Sequence, residues 1–192
     1  MKIITNLNKT NNSLAKAVAI GSFDGVHLGH QAIIQKLISI AKKNDLVPYI
    51  MFFEPLPKEF FLKEIAPTRI YDFRNKVINL NKMGIEHIIC HKFNQRFASI
   101  EANDFIEEFL VRKLNTKHII VGDDFKFGRN RIGDYTLLKQ YSLTHDFTVD
   151  RISTLNLDNH RISSSQIRQD IAEHNICLLY TSQSPRDDIS SR

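Results

Sequence analysis

One segment constrains the fold of this chain most. In it, a short apolar run leads through a glycine-rich turn into an amphipathic segment. Ala17–Ile20 has the length and the flanks of a buried strand. The turn after it carries Gly21, Gly25 and Gly29, and apolar residues then recur at helical spacing as far as Ala41. α/β proteins build phosphate sites in this way, because a helix N-terminus offers unpaired N–H groups and glycines let a ligand approach the backbone.

Two histidines lie inside this turn. His27 and His30 are three residues apart, which places both imidazoles on one face if the helix has begun by then. Two donors beside a helix N-terminus suit an anion on which charge develops during reaction, such as a pentavalent phosphorus. A lone histidine at such a position is more often a cap or a surface residue. The segment HLGH resembles the HIGH-type signature of nucleotidylyltransferases, which implies chemistry at the α-phosphate of ATP or CTP and leaves the acceptor open.

Strand-like and helix-like segments alternate along the rest of the chain, which favours an α/β fold with a parallel central sheet flanked by helices. Further strands are predicted at Leu46–Phe53, Glu86–Cys90, His118–Val121 and Phe147–Ile152. Further helices are predicted at Ile70–Met83, from a cap at Asn103 or Asp104 to Leu114, at Tyr135–Tyr141, and from the Ser163 region to about Glu173. Ligands of such sheets bind outside the carboxyl ends of the strands. We therefore expect four polar stretches that follow predicted strands to meet at one edge: Gly21–His30, Glu54–Pro57, Gly122–Gly128 and Ser163–Arg168.

Composition limits the possible partners. The net charge of +5 favours an anionic partner, but no basic run of five residues occurs, so a phosphorylated small molecule is preferred over nucleic acid. Cys90 and Cys177 have neither metal-ligand spacing nor the pattern of a disulfide framework, which fits a reducing cytoplasm. No signal peptide and no apolar run of membrane-spanning length is found, so no membrane association is expected. The sequence leaves the oligomeric state open.

Three further motifs have two interpretations each. In the GDDFKFG segment, Asp123 and Asp124 could hold Mg²⁺ or a ligand hydroxyl while two phenylalanines flank a planar ring, or the segment could be a polar turn with two core aromatics. In ISSSQIR, hydroxyls cap a helix and Arg168 can clamp the β- and γ-phosphates, or the segment is only a capped surface helix. In the EPLP segment, Glu54 could be no more than a strand-end carboxylate, with prolines that stiffen the loop.

Taken together, the motifs resemble bacterial FAD synthetase, and more specifically the N-terminal FMN adenylyltransferase module of the bifunctional riboflavin kinase/FAD synthetase. The resemblance covers about Ala17 to Asn175, and the motifs in order are GSFDGVHLGHQ, FFEPLPKEFF, APTRI, FN with FA three residues on, VGDDFKFG and ISSSQIR. It implies a Rossmann-like nucleotidylyltransferase fold and the transfer of AMP from Mg-ATP to FMN, giving FAD and pyrophosphate. The alternatives are another phosphorylated acceptor, such as nicotinamide mononucleotide, phosphopantetheine or glycerol phosphate, and a flavin- or nucleotide-binding module without turnover.

The resemblance also implies roles for individual residues. The catalytic residues would be His27, His30 and Asp124, with Asp124 also the candidate Mg²⁺ ligand. ATP and its phosphates would be bound by Gly21, Phe23, Asp24, Gly25, Gly29, Ser163, Ser164 and Arg168. The flavin side would be lined by Glu54, Pro55, Pro57, Phe125 and Phe127. Two positions depart from the family: Leu56 stands where a histidine is usual, which removes a polar contact near the flavin, and Ser165 replaces a threonine but keeps the hydroxyl.

The C-terminal end departs from the family as well. Residues 1–176 are expected to form the FMN adenylyltransferase domain, and the β-barrel riboflavin kinase domain that follows in the family is expected to be absent. Residues 177–192 have no pattern that continues the fold, and CLLYTS resembles translated sequencing-adapter DNA. We therefore expect this tail to be non-native, or else an ordinary disordered terminus.

Overall fold

Among the described residues, six parallel strands form the central sheet, in the order β1-β4-β3-β2-β5-β6. The computed structural model describes residues 1–7, 13–153, 156–157, 160–161 and 163–173, so the predicted tail at 177–192 and the end of the predicted domain at 174–176 lie outside the described residues. The strands are β1 (Lys2–Ile4), β2 (Lys16–Ile20), β3 (Val47–Glu54), β4 (His87–Lys92), β5 (Thr116–Gly122) and β6 (Thr148–Ile152). A separate antiparallel pair consists of β7 (Asn156–Leu157) and β8 (His160–Arg161). The predicted α/β fold with a parallel sheet is confirmed.

Helices connect the strands and cover the sheet. They are α1 (Leu28–Lys43), α2 (Pro57–Leu62), α3 (Phe73–Lys82), α4 (Gln95–Ala98), α5 (Ala102–Asp104, continued as a π-helix at Phe105–Lys113), α6 (Tyr135–Tyr141) and α7 (Ser164–Ala172). Short 3₁₀ turns occupy Lys63–Ile65 and Arg129–Arg131. None of the helices in the described residues combines the length and the apolar character that a membrane span requires.

Strand β2 is the centre of the fold, and all five of its residues are buried. Val18 and Ile20 pack in the core layer that holds Phe105 and Leu110 of α5. Ala17 and Ala19 pack in the opposite layer, which includes buried residues of α1 and α3. From β2 the chain builds β3 and β4 on one side and β5 and β6 on the other. This reversal creates a crevice at the carboxyl ends of the central strands, where open α/β sheets bind their ligands.

Some predicted elements differ in their bounds. The helix predicted to begin at Ile70 begins at Phe73, because Asp72 caps it by accepting the N–H of Asn75 at 2.7 Å. The long helix before β5 begins at Ala102, without a side-chain cap from the predicted cap residues. The EPLP loop leads into α2, which was not predicted, with Pro57 at its first position.

Two predicted local signals are confirmed. Gly84 follows the last turn of α3 with a φ of +88°, a left-handed conformation that glycine adopts without strain. Ser163 caps α7 by accepting the N–H of Gln166 at 3.2 Å.

Candidate active site

A cavity of about 320 Å³ lies at the carboxyl ends of the central strands. Its wall is formed by the turn after β2, the loop after β3, the loop after β5 and the start of α7. The four polar stretches named from the sequence therefore converge on one site, as predicted. The volume falls in the lower range of small-molecule pockets.

Most of the predicted site residues line this cavity. Those that do are Gly21, Phe23, Asp24, His27, Gly29, His30, Pro57, Asp124, Phe125, Ser163, Ser164 and Arg168. Leu56 and Ser165, the two positions that differ from the pattern of the resembled family, line it as well, and the Leu56 side chain gives this part of the wall an apolar surface.

Four predicted site residues are not part of the cavity wall: Gly25, Glu54, Pro55 and Phe127. Glu54 is ion-paired with Arg69, which also pairs with Glu59. Phe127 is only 8% exposed and packs against Phe105, with ring centroids 5.3 Å apart. For Phe127 the structure favours the alternative interpretation from the sequence, a core aromatic, because its ring is held between Phe105 and Phe125.

Other lining residues were not identified from the sequence. They include Lys58 and Glu59 of α2, Lys126 and Arg131 of the loop after β5, and Ile33 of α1. Lys126 lies inside the GDDFKFG motif, so its place at the site could have been read from the motif alone. Arg131 carries no such local signal, since only the path of its loop brings it to the cavity.

The two histidines form a stacked pair at the start of α1. His27 is the residue that precedes the first turn, and its ring lies 3.8 Å from that of His30 between centroids, with the planes 28° apart. Phe23 packs against the His30 ring, with the two ring centroids 5.1 Å apart. The Nδ1 atoms of both histidines are buried and have no hydrogen-bond partner among the described residues.

Burial makes both imidazoles poor bases. It lowers the pKa of His27 to about 4, although the carboxylates of Asp24 and Asp124 act in the opposite direction. The pKa of His30 lies well below its usual value, because of burial first and then the proximity of His27 and Lys76. Both rings are therefore neutral at pH 7, and each can donate one N–H to an anion without carrying a charge itself.

Asp24 links three parts of the site. Its buried carboxylate accepts the backbone N–H of Ile70 at 3.1 Å and that of Tyr71 at 3.0 Å, which joins the turn after β2 to the segment before α3. The same carboxylate is ion-paired with the guanidinium of Arg168 on α7. The Ser164 hydroxyl donates to the Asp24 carbonyl at 2.8 Å.

A fully buried lysine lies close to Asp24. Lys76 of α3 is 4.7 Å above the Phe52 ring, and its Nζ has no hydrogen-bond partner among the described residues. Burial lowers the pKa of Lys76, and Asp24 is the strongest of the charges that oppose this. Asp24 therefore lies close to basic side chains of both α3 and α7.

The described residues contain no group of three or more His, Cys, Asp or Glu side chains that could hold a metal by itself. This does not conflict with a role for Mg²⁺, because Mg²⁺ commonly takes one or two carboxylates together with substrate phosphates. Asp123 and Asp124 are adjacent in the cavity wall and provide such carboxylates.

Residues 9–166 match the family model described as FAD synthetase. The chain belongs to the FAD synthetase family. Its relatives in this family include two proteins named bifunctional riboflavin kinase/FMN adenylyltransferase. The one from Buchnera aphidicola subsp. Schizaphis graminum (strain Sg) is 43% identical over 176 residues, which cover 91% of this chain and 56% of the relative.

The relative from Escherichia coli (strain K12) is 37% identical over 180 residues, or 93% of this chain and 58% of the relative. The chain thus spans a little over half the length of these relatives. A solved structure named as a macrolide-efflux protein from Streptococcus pneumoniae has the same fold, with a TM-score of 0.77 and 27% identity over 91% of this chain and 58% of that one.

Proposed function

We propose that this chain is an FMN adenylyltransferase, which transfers AMP from Mg-ATP to the phosphate of FMN and yields FAD and pyrophosphate. The observation that carries the proposal is the stacked pair of neutral imidazoles, His27 and His30, on the cavity wall at the N-terminus of α1. Membership of the FAD synthetase family and the names of the relatives support the same reaction.

The proposed reaction is a displacement at phosphorus. An oxygen of the FMN phosphate attacks the α-phosphorus of ATP, and the bond to the bridging oxygen of the β-phosphate breaks, so pyrophosphate leaves with the electron pair. Negative charge develops on the α-phosphate oxygens and on the leaving group. His27 and His30 would donate hydrogen bonds where this charge develops, and the first N–H groups of α1 add to the same field.

The start of α7 would hold the rest of the triphosphate. Arg168 donates through Nε to the Thr68 carbonyl and through Nη2 to Asp24, whereas Nη1 makes no hydrogen bond to a described residue. The Nη1 group can therefore meet a phosphate while Asp24 fixes the direction of the guanidinium. The negative charge of the Asp24 carboxylate would repel a phosphate in direct contact with it. We therefore propose that Asp24 positions Arg168 and does not itself contact the anion.

Mg²⁺ bound with ATP would withdraw charge from the phosphates, and Asp124 is the residue proposed to hold it, with Asp123 next to it. The flavin would lie against the apolar part of the wall, which is formed by Phe53, Leu56, Pro57 and Phe125. The proposal includes a small-molecule partner rather than a nucleic acid, which the distribution of basic residues along the sequence supports. It also includes a cytoplasmic location, which the free thiol of Cys90 supports.

The direct test is to incubate the purified chain with Mg-ATP and FMN and to separate the products by chromatography. We expect FAD and pyrophosphate in equal amounts. Riboflavin serves as the control acceptor, because it lacks the attacking phosphate, and it should give no FAD. Formation of a different adenylylated product from nicotinamide mononucleotide, phosphopantetheine or glycerol phosphate, with none from FMN, would assign the chain to another acceptor.

Two variants test the role of the histidines. His27→Ala and His30→Ala should each lower kcat by about 10²–10³, the size seen for lost transition-state donors, with a much smaller change in ATP affinity. His145→Ala is the matched control, since His145 lies outside the cavity wall and stacks on Tyr141. Near-normal kcat in both cavity variants would leave the pair with a structural role only.

A further inference from the structure

The loop Gly128–Gly133 holds one cation at the rim of the cavity, and it is firmly attached to the body of the protein. Phe127 and Gly133 exchange two backbone hydrogen bonds, at 3.0 and 2.9 Å. The N–H of Arg129 donates to the Ile100 carbonyl at 2.7 Å, and Gly128 lies directly against Ala102. The loop is therefore fixed at both ends, and the residues at its tip have a defined direction.

The tip is held in an unfavourable conformation. Asn130 and Arg131 are consecutive non-glycine residues in the left-handed region, with φ of +56° and +59°. This region costs roughly 1–2 kcal/mol per residue other than glycine, although asparagine tolerates it better than arginine does. Such conformations persist where the surrounding structure enforces them, and they cluster at ligand-binding sites. Arg131 is one of the residues that line the cavity.

Arg131 also differs from its neighbours in charge pairing. Arg168 and Lys126, two other cations of the wall, are paired with Asp24 and Asp134. Arg129, two residues before Arg131, is paired with Glu101 at 3.0 Å. The Arg131 side chain makes no ion pair and no hydrogen bond within the described part of the chain. A guanidinium fork has the geometry that binds phosphate oxygens in pairs.

We propose that Arg131 binds a phosphate group of a substrate at the rim of the cavity, either the polyphosphate of ATP or the phosphate monoester of FMN. This inference rests on the proposed function for the identity of the two anions. The strained backbone is then maintained because it directs an unpaired guanidinium into the cavity, where a residue of the ordinary helical conformation would point elsewhere.

The experiment measures equilibrium binding of ATP, pyrophosphate, FMN and riboflavin by calorimetry at one fixed ionic strength. Arg131→Gln removes the charge, and Arg131→Gly removes the whole side chain while it accepts the left-handed φ, so it should not lower Tm. Arg129→Gln is the matched control, since it removes a cation of the same loop that lies outside the cavity wall. We expect both Arg131 variants to weaken one phosphate ligand about tenfold, the lower end for a charged hydrogen bond, because the guanidinium is exposed and screened by salt.

The ligand that weakens identifies the phosphate. Loss for ATP and pyrophosphate assigns Arg131 to the triphosphate, and loss for FMN without loss for riboflavin assigns it to the flavin phosphate. Unchanged affinity for all four ligands, equal loss for FMN and riboflavin, or the same loss in Arg129→Gln overturns the inference. If the chain binds ATP but forms no FAD, the proposed function fails while the Arg131 contact is still measured. If FAD forms but the variants keep the affinities of the unchanged protein, the proposed function holds and the Arg131 contact is refuted.

Discussion

Replacement of Asp24 should destabilise the protein more than replacement of any surface carboxylate. The Asp24 side chain is 1% exposed, and it accepts two backbone N–H groups and the guanidinium of Arg168. Asp24→Ala leaves that guanidinium without its partner, and removal of one member of a buried pair costs about 3–5 kcal/mol. Arg168 is 22% exposed and the freed N–H groups of Ile70 and Tyr71 gain access to water, so we expect about 4 kcal/mol in total.

Asp24→Asn should cost less, about 2 kcal/mol, because an amide oxygen in the place of Oδ1 can still accept the N–H groups of Ile70 and Tyr71, although the charge that pairs with Arg168 is lost. Asp72→Ala is the matched control: Asp72 also accepts a backbone N–H, but it is an exposed helix cap and its loss costs about 1 kcal/mol. Urea unfolding followed by circular dichroism measures the three values, since the chain has no tryptophan for fluorescence.

We expect the loss of stability to decrease in the order Asp24→Ala, Asp24→Asn, Asp72→Ala. If Asp24→Ala costs no more than Asp72→Ala, with the same dependence on urea, the buried carboxylate does not join the three segments. In that case the direction of Arg168 must be set by its contact with the Thr68 carbonyl alone. A change in the slope of the free energy against urea concentration would point instead to an altered denatured state.

Three other predictions concern His27, Gly128 and Cys90. Because the pKa of His27 is about 4 in the folded protein and near 6.5 when unfolded, the unfolded chain binds more protons between these values, and the free energy of unfolding should fall as pH drops through this window. His27 accounts for up to about 3 kcal/mol of this loss, so unfolding titrations of His27→Gln should show a shallower decline below pH 6.5. Gly128→Ala should cost about 2–4 kcal/mol of stability, since a Cβ there would lie 2.6 Å from Ala102 Cα at a φ of +72°. In the control Gly84→Ala the new Cβ meets nothing closer than 3.6 Å, so this variant should cost about 1 kcal/mol. Equal melting temperatures of the two variants would contradict this. Burial raises the pKa of the Cys90 thiol to about 11, so peptide mass spectrometry should find Cys90 unmodified by iodoacetamide at pH 8 in the folded protein and modified in urea.

The sequence alone was enough to predict the parallel sheet and the site at its carboxyl edge. The run Ala17–Ile20 and the turn after it specify a buried strand and a helix start over a few residues, and the structure has both. Gly84 and Ser163 likewise mark the end of α3 and the start of α7. These signals can be recognised in the sequence because the hydrophobic periodicity, the glycine positions and the helix caps each act within about four residues along the chain.

Only the tertiary structure decided what the charged side chains contact. Asp24 contacts Arg168, which lies 144 positions further along the chain. Glu54 is ion-paired with Arg69 and is not part of the cavity wall. The same holds for Phe127, whose place in the core depends on the packing of α5. A carboxylate or an aromatic ring has the same local sequence signal whether it faces a ligand or a neighbouring segment. The choice between them is made by the crossovers that bring distant segments to one edge of the sheet, and by the cost of burying a charge without a partner.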